Sequence, residues 1–229
     1  MKNTTTMKNN LLVEALIKYL AGVILLAVLI FVPAGSLDYR HGWLFMALLF
    51  IPMFIAGIVM YLKAPDLLRS RLNAKEKQGQ QKDVIKYSGL MFLVAFILAG
   101  LNYRFKWTSL PDSVVIAGCI IFLLSYIMFG FVLKQNAYLS RTIEVQENQK
   151  VVDTGLYAVV RHPMYTATLF LFLSMPLILN SWPSFIVMLA YIPIIIKRIN
   201  NEEEVLEKEL EGYKEYIKKV KYRLIPYIY

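Results

Sequence analysis

Apolar runs of bilayer length, separated by short polar connectors, set the rhythm of this chain. Residues 16–33, 43–62, 88–101 and 114–133 are nearly unbroken stretches of Leu, Ile, Val, Phe, Met and Ala. A hydrocarbon core about 30 Å thick needs roughly 20 apolar residues per helix, so each run is read as spanning, the third only just. A fifth apolar region, 165–196, is too long for one helix and is interrupted by Asn180, Ser181, Trp182 and Pro183, a turn-forming cluster. The pattern predicts a tight helical hairpin with arms at 166–179 and 184–196. Both arms are short and each carries a proline, Pro176 or Pro193, which predicts kinks or incomplete crossings. Beyond the hairpin, Val205, Leu206, Leu210, Tyr213 and Ile217 recur at three- and four-residue steps among seven acidic residues, the pattern of an amphipathic helix over 201–219 lying against the membrane face. The expected fold is therefore all-α, a polytopic transmembrane bundle of five to six helices ending in that amphipathic helix. Residues 1–229 read as one integral membrane domain, with N-terminal transmembrane helices in 1–134 and the chemistry in 135–229.

Composition agrees. The chain is 58% hydrophobic and 18% charged, with a mean hydropathy of +0.51, which excludes a water-soluble globule. The net charge of +9 would suit a nucleic-acid partner, but the positives sit in the connectors. Of 25 Lys and Arg residues, 22 fall in the four segments that the predicted topology puts on one face; Arg40, Arg104 and Lys106 are on the other. The positive-inside rule then places both termini and the two longest loops in the cytoplasm and leaves no call for nucleic acid. The first run ends in Val32, Pro33, Ala34, Gly35 and Ser36, faintly like a signal cleavage site, yet it exceeds a signal core of about 7–15 residues and reads as a retained helix. The loop at 63–86 is basic and Gln-rich and reads as a solvated connector beside anionic headgroups. Cys119, the one cysteine, lies in an apolar stretch and excludes a disulfide framework or Cys-rich metal site.

Candidate chemistry concentrates in two places. Residues 153–165, Asp-Thr-Gly-Leu-Tyr-Ala-Val-Val-Arg-His-Pro-Met-Tyr, form a polar loop running directly into an apolar helix, with Pro163 near the first helical position. Free backbone donors and the helix dipole favour an anion there, and Arg161 and His162 add side-chain donors. The second place begins where the hairpin returns: Lys197, Arg198, Ile199, Asn200, Asn201, Glu202, Glu203, Glu204. Arg198 precedes the carboxylates by four or five residues, so one helical face can offer both signs. Taken alone, the first cluster reads first as an interfacial loop and the second as a helix start with an acidic first turn and a solvated face. Together they are returned by a short hairpin to the same membrane face. A zwitterion suits such a site: the amino acid part of S-adenosylmethionine needs a carboxylate for its ammonium and cationic or N–H donors for its carboxylate, and tyrosine faces suit its sulfonium.

Gly155-Leu-Tyr157, Arg161-His162-Pro163-Met164-Tyr165, Arg198, Glu202-Glu203, Leu206, Gly212-Tyr213, Tyr216 and Arg223-Leu-Ile-Pro226 resemble the isoprenylcysteine carboxyl methyltransferase family of integral membrane enzymes, in its bacterial form. The related phosphatidylethanolamine N-methyltransferases share parts of the pattern. The strong motifs cover about the last 75 residues, and Pro65-Asp-Leu-Leu-Arg69 matches more loosely. The resemblance implies a multi-pass enzyme of the bacterial inner or plasma membrane, with an S-adenosyl-L-methionine site built from the Arg-His-Pro loop, the hairpin and the C-terminal helix. By motif position, Gly155, Tyr157, His162, Pro163 and Tyr165 would hold the cofactor, Glu202 or Glu203 would bind its ammonium, and Arg161 and Arg198 would be the catalytic or substrate-orienting cations. Leu156 stands where many members have proline, and Ala167 where many have glycine; neither change removes a polar group. In keeping with this, the sequence has no Gly-x-Gly-x-x-Gly dinucleotide loop after a strand.

Methyl transfer from a sulfonium is an in-line displacement, so the site must align the reacting atoms and exclude water. A carboxylate acceptor needs a cation and no base; Arg161 or Arg198 would serve. An amine or phenol acceptor would need deprotonation, with His162 the nearby group that titrates near neutrality. His41 is expected on the opposite face. The sequence thus points to carboxyl O-methylation of an isoprenylcysteine-like or other lipidic carboxylate entering sideways through the bilayer past Pro176 and Pro193, with membrane lipids as surroundings. Behind it stand an N-methyltransferase of phospholipid amines, then a sterol-reductase-like NADPH enzyme, a group usually longer and with more crossings. A transporter or other non-catalytic protein is disfavoured because the predicted spans hold almost no ionisable residues.

Overall fold

The structure is a computed structural model that describes residues 2–72, 79–136, 138, 145–146 and 148–229, with side chains described from Asn10 and, after the gap at 73–78, from Asp83. Among the described residues every regular element is helical. Helix α1 covers Lys2–Ala34, α2 Arg40–Lys63, the short α3 Pro65–Leu72, α4 Gly79–Phe105 and α5 Asp112–Gln135. A 3-10 turn at Gly155–Ala158 leads to α6, Pro163–Ile178, followed by α7 at Trp182–Met188, α8 at Tyr191–Glu209 and α9 at Tyr213–Lys219. Five segments are long and apolar enough to cross a bilayer: Asn10–Ala34, Arg40–Lys63, Asp83–Phe105, Asp112–Gln135 and Trp182–Glu209. Their outward side chains, such as Ile17, Ile24, Ile55, Ile120 and Leu124, are exposed in rows that only lipid can cover. This is the polytopic helical bundle expected from the pattern.

The hairpin forms as predicted, with unequal arms. Helix α6 has 16 residues, about 24 Å at 1.5 Å per residue, short of a bilayer core. The returning arm is a 28-residue span interrupted at Leu189 and Ala190, just before Pro193, where the ring lies in the first turn of α8 and costs no internal hydrogen bond. Beyond the break α8 runs on to Glu209, so Glu202 and Glu203 belong to the end of a spanning helix. The expected continuous helix over 201–219 is divided: α8 ends at Glu209, where Leu210 turns to extended backbone, and α9 starts after Gly212, at φ +83°. The expected solvated connector at 63–86 contains α3 and the first turns of α4; residues 73–78 lie outside the described residues. Helix α4 likewise extends well beyond the apolar run at 88–101.

One buried cluster unites α1, α2, α4, α5 and the hairpin through Ile30, Phe45, Phe96, Phe122, Ile178 and Ile195. Helix α5 approaches α6 closely at Gly118, where a Cβ would lie 2.9 Å from Leu177 Cβ. The hairpin tip is pinned. Asn102 Nδ2 donates to Thr108 O and Asn180 O, both at 3.0 Å, Leu110 N–H donates to Asn180 Oδ1 at 2.5 Å, and the Tyr39 hydroxyl donates to Leu179 O. His41 and Tyr39 pack nearby, so His41 is at the tip end of the bundle, away from His162.

Candidate active site

The site lies at the opposite end of the hairpin, where α6 begins and α8 ends. His162 is the residue before the first turn of α6, with Pro163 opening the helix. Because α6 is short, the Arg161–His162 turn is recessed into the bundle, and both residues are buried. The extended segment after α9 closes over them: Arg161 N–H donates to Tyr222 O and His162 N–H to Arg223 O, each at 2.9 Å, and Thr166 Oγ1 donates to Leu224 O at 2.7 Å. Backbone groups that would otherwise be buried unpaired are thus satisfied by the C-terminal segment.

Glu203 is the centre of a buried ion cluster. Its Oε1 accepts from Arg161 Nε at 2.7 Å and His162 Nε2 at 3.0 Å, and Arg223 Nη2 lies 2.8 Å from its Oε2. Arg161 Nη1 donates on to Val220 O at 2.8 Å and Lys221 O at 2.9 Å. Arg223 Nη1 donates to Asn200 Oδ1 at 3.0 Å and Tyr229 Oη at 2.7 Å. With its side chain 4% exposed and both oxygens occupied, Glu203 acts as the keystone joining α6, α8 and the C-terminal segment. Buried charges hold such a position only when paired on every side.

Glu202, one residue on, turns to a different face. Tyr165 donates its hydroxyl proton to Glu202 Oε2 and accepts from Arg198 Nε at 2.9 Å, so Arg198, Tyr165 and Glu202 form a chain across the two arms. The His162 ring stacks on Tyr165 with centroids 5.6 Å apart, and the Arg198 guanidinium lies 5.8 Å from the Tyr165 ring centre. His162 Nδ1 lies 3.9 Å from Glu202 Oε1.

These groups line an open cleft of about 830 Å³, mouth included, whose walls contain Tyr157, Arg161, His162, Tyr165, Arg198 and Glu202. The other predicted site residues, Gly155, Pro163 and Glu203, are not on its walls. Pro163 is fully buried at the start of α6. Gly155, at φ +59°, packs so tightly on the Gln135 side chain that a Cβ would have to push its amide aside, while Leu156 N–H donates to Gln135 Oε1 at 3.1 Å. This contact ties the loop carrying Tyr157 to the end of α5.

The sequence reading gave no site role to several contributors: Asn136 went unnamed, and Tyr213, Tyr216 and Arg223 appeared only as motif residues. Asn136, Tyr213 and Tyr216 line the same cleft, and Arg223 completes the Glu203 cluster. Tyr216 donates to Tyr157 O at 2.7 Å, and the Tyr157 hydroxyl accepts from Asn136 Nδ2 at 3.0 Å. Burial pushes the Tyr157 phenol up to about 12; burial also raises Tyr213, with the Glu203 and Glu202 carboxylates adding to the effect, and Tyr216. All three remain neutral hydroxyls at physiological pH. Tyr213 differs from its neighbours: its ring is 4% exposed, and its hydroxyl has no hydrogen-bond partner among the described residues. Its motif with Gly212 and the repeat of tyrosines were the available signals, but neither shows which hydroxyl is left open. No cluster of His, Cys, Asp and Glu that could hold a metal ion occurs among the described residues.

Comparison with known proteins bears on this region. The chain matches the family described as phospholipid methyltransferase over residues 113–211, a stretch carrying α5, the hairpin and both the Arg161–His162 and Glu202–Glu203 pairs. It is 31% identical over 91 residues to a Delta(14)-sterol reductase of Mus musculus, covering 38% of this chain and 22% of that protein. The matched part is thus about a fifth of that relative's length. The family match supports a membrane methyltransferase acting on a lipophilic substrate, and the apolar spans make it a multi-pass one.

Proposed function

We propose that this protein transfers a methyl group from S-adenosyl-L-methionine to the carboxylate of a lipophilic acceptor, at a cleft on its Lys- and Arg-rich face, which the positive-inside rule assigns to the cytoplasm. The observation that carries the reading is that one cleft combines a carboxylate, Glu202, with a cation, Arg198, aromatic faces and the buried hydroxyl of Tyr213, which has no hydrogen-bond partner among the described residues. That donor set fits a zwitterion with an attached polar heterocycle. When bound, S-adenosyl-L-methionine supplies an electrophilic methyl group and leaves as a neutral thioether.

The residues divide the work by their freedom. Glu202 lines the cleft and receives the cofactor's ammonium. Glu203, saturated by Arg161, His162 and Arg223, positions the turn instead of touching ligand, and Arg161 is its structural partner. Arg198 orients the acceptor carboxylate, which needs no base because it is already the nucleophile. Tyr165 couples the two by donating to Glu202 while accepting from Arg198, so cofactor and acceptor sites are set by one side chain. Tyr213 donates to or accepts from a polar group of the cofactor. Tyr157 forms part of the wall, Gly155 holds its loop against Gln135, and the short α6 sets the reacting atoms below the surface, away from bulk water.

Calorimetry in detergent tests the site: Glu202→Gln should weaken S-adenosylmethionine and S-adenosylhomocysteine binding at least tenfold, and unchanged affinity refutes the assignment. A second reading, transfer to a phospholipid amine, is favoured by the name of the matched family. Labelled product separates the two, because a methyl ester releases methanol in base and an N-methyl group does not. A reductase reading, prompted by the sterol reductase similarity, predicts binding of NADPH and none of S-adenosylmethionine.

A further inference from the structure

A second concavity lies outside the cleft, between α1, α2 and α3. It encloses about 1040 Å³, mouth included, and its walls are apolar: Leu12, Leu16, Phe54, Ile58, Tyr61 and Leu68 among them. Along α2 it extends from Met53 to Tyr61, about 12 Å at 1.5 Å per residue. The charged residues on its walls are Lys18 and Arg71, both cations. Lys18 Nζ donates to Glu14 Oε1 at 2.6 Å and to Leu72 O at 2.8 Å, and an ammonium has three protons to give. The Lys18 side chain is about half exposed. Away from the two cations the walls offer few polar groups, the Tyr61 hydroxyl and the Tyr19 hydroxyl, which donates to Phe50 O. In a bilayer the space fits a hydrocarbon chain. The head attached to that chain would then stand beside Arg71 and beside Lys18, which also pairs with Glu14, and basic pockets between spanning helices on the inner leaflet select anionic headgroups.

We infer that the α1–α2–α3 groove is a binding site for an anionic phospholipid, with one acyl chain between α1 and α2 and its phosphate at Lys18 and Arg71. The site is separate from the methyl-transfer reading and stands or falls without it. Gly57 provides the means of testing it. It lines the groove, and a Cβ built there meets nothing within 4 Å, so a side chain at 57 starts in open space and competes with the chain for the groove.

Native mass spectrometry of the full, delipidated protein, titrated with equal concentrations of phosphatidylglycerol or phosphatidylcholine, reads occupancy directly. Phosphatidylglycerol should be retained preferentially, by roughly fivefold for each cation beside its headgroup. Lys18→Gln and Arg71→Gln should each remove about one such factor, leaving the phosphatidylcholine signal unchanged. Gly57→Phe should abolish retention of the tightly held lipid while cofactor affinity and melting temperature stay as in the parent chain. Equal retention of the two lipids overturns the proposal, as does a Gly57→Phe protein that still holds phosphatidylglycerol. Loss of methyl transfer to a lipophilic acceptor in Gly57→Phe, with lipid selectivity intact, also overturns it by giving the groove to the acceptor. Should Gly57→Phe fail to fold, Lys18→Gln, which leaves the apolar walls alone, decides the matter.

Discussion

Replacing Tyr213 by Phe should stabilise the ligand-free protein and weaken its hold on the cofactor, two effects of opposite sign from one oxygen atom. The Tyr213 hydroxyl is buried and has no partner among the described residues, and an unsatisfied buried donor costs about 1–3 kcal/mol. Removing it while keeping the ring recovers part of that cost. For a chain of this size each kcal/mol corresponds to roughly 2–4 °C in melting temperature, so a rise of a few degrees is expected in the absence of ligand. On binding, the parent protein gains a hydrogen bond that the variant cannot form. A net value of about 0.5–1.5 kcal/mol becomes roughly a two- to twelvefold loss in affinity. Calorimetric titration with S-adenosylhomocysteine, together with a thermal melt with and without ligand, measures both. A variant that melts lower and binds as tightly as the parent would show the hydroxyl to be structural and refute the reasoning.

Four further outcomes follow from the same geometry. Glu203→Ala strands Arg161, His162 and Arg223 around an empty centre and should cost about 3–5 kcal/mol of stability, whereas Glu202→Gln should leave the melting temperature nearly unchanged; the reverse ranking in a thermal melt would exchange their roles. Arg198→Ala should lower turnover of a carboxylate acceptor by at least tenfold while S-adenosylhomocysteine affinity changes less than threefold, a split read from steady-state kinetics beside calorimetry. Gly155→Ala should weaken cofactor binding by forcing the loop off Gln135, and adding Gln135→Ala should restore part of it; no recovery in the double variant would mean that the positive φ alone is responsible. Because Tyr157 is raised in the folded chain to about 12 from an unfolded value of 10.0, its contribution is complete below pH 10 and is lost as pH climbs toward 12; alkaline unfolding of Tyr157→Phe should show a shallower pH dependence over that window.

Much of the architecture was written in the apolar runs, because bilayer thickness fixes the length of a spanning helix. The hairpin was visible in Asn180, Ser181, Trp182 and Pro183, and the break before Pro193 in proline geometry. What the pattern misplaced was the boundary after the hairpin. Polar residues from Asn201 onward looked like a new surface helix, but α8 carries them as far as Glu209, and extended Leu210 with left-handed Gly212 divides the tail. In the site, Arg161, His162, Tyr165, Arg198, Glu202 and Glu203 could be named from their two clusters, and the structure brings these six together. Their division into cleft-lining Glu202 and enclosed Glu203 could not be read, since adjacent helical residues differ by a rotation of about 100° whose origin depends on packing. Arg223 was equally opaque. Its importance comes from a backbone pairing between the C-terminal segment and the Arg161–His162 turn, and no local periodicity records such a pairing.

The network of Asn102, Thr108, Asn180 and Tyr39 fastens the hairpin at its tip, and the Glu203 cluster with the backbone pairing to Tyr222 and Arg223 fastens its other end. A beam clamped at both ends keeps its shape between them. The two arms therefore reach the mouth of the cleft already in register, and an arriving guest meets a floor that it need not assemble.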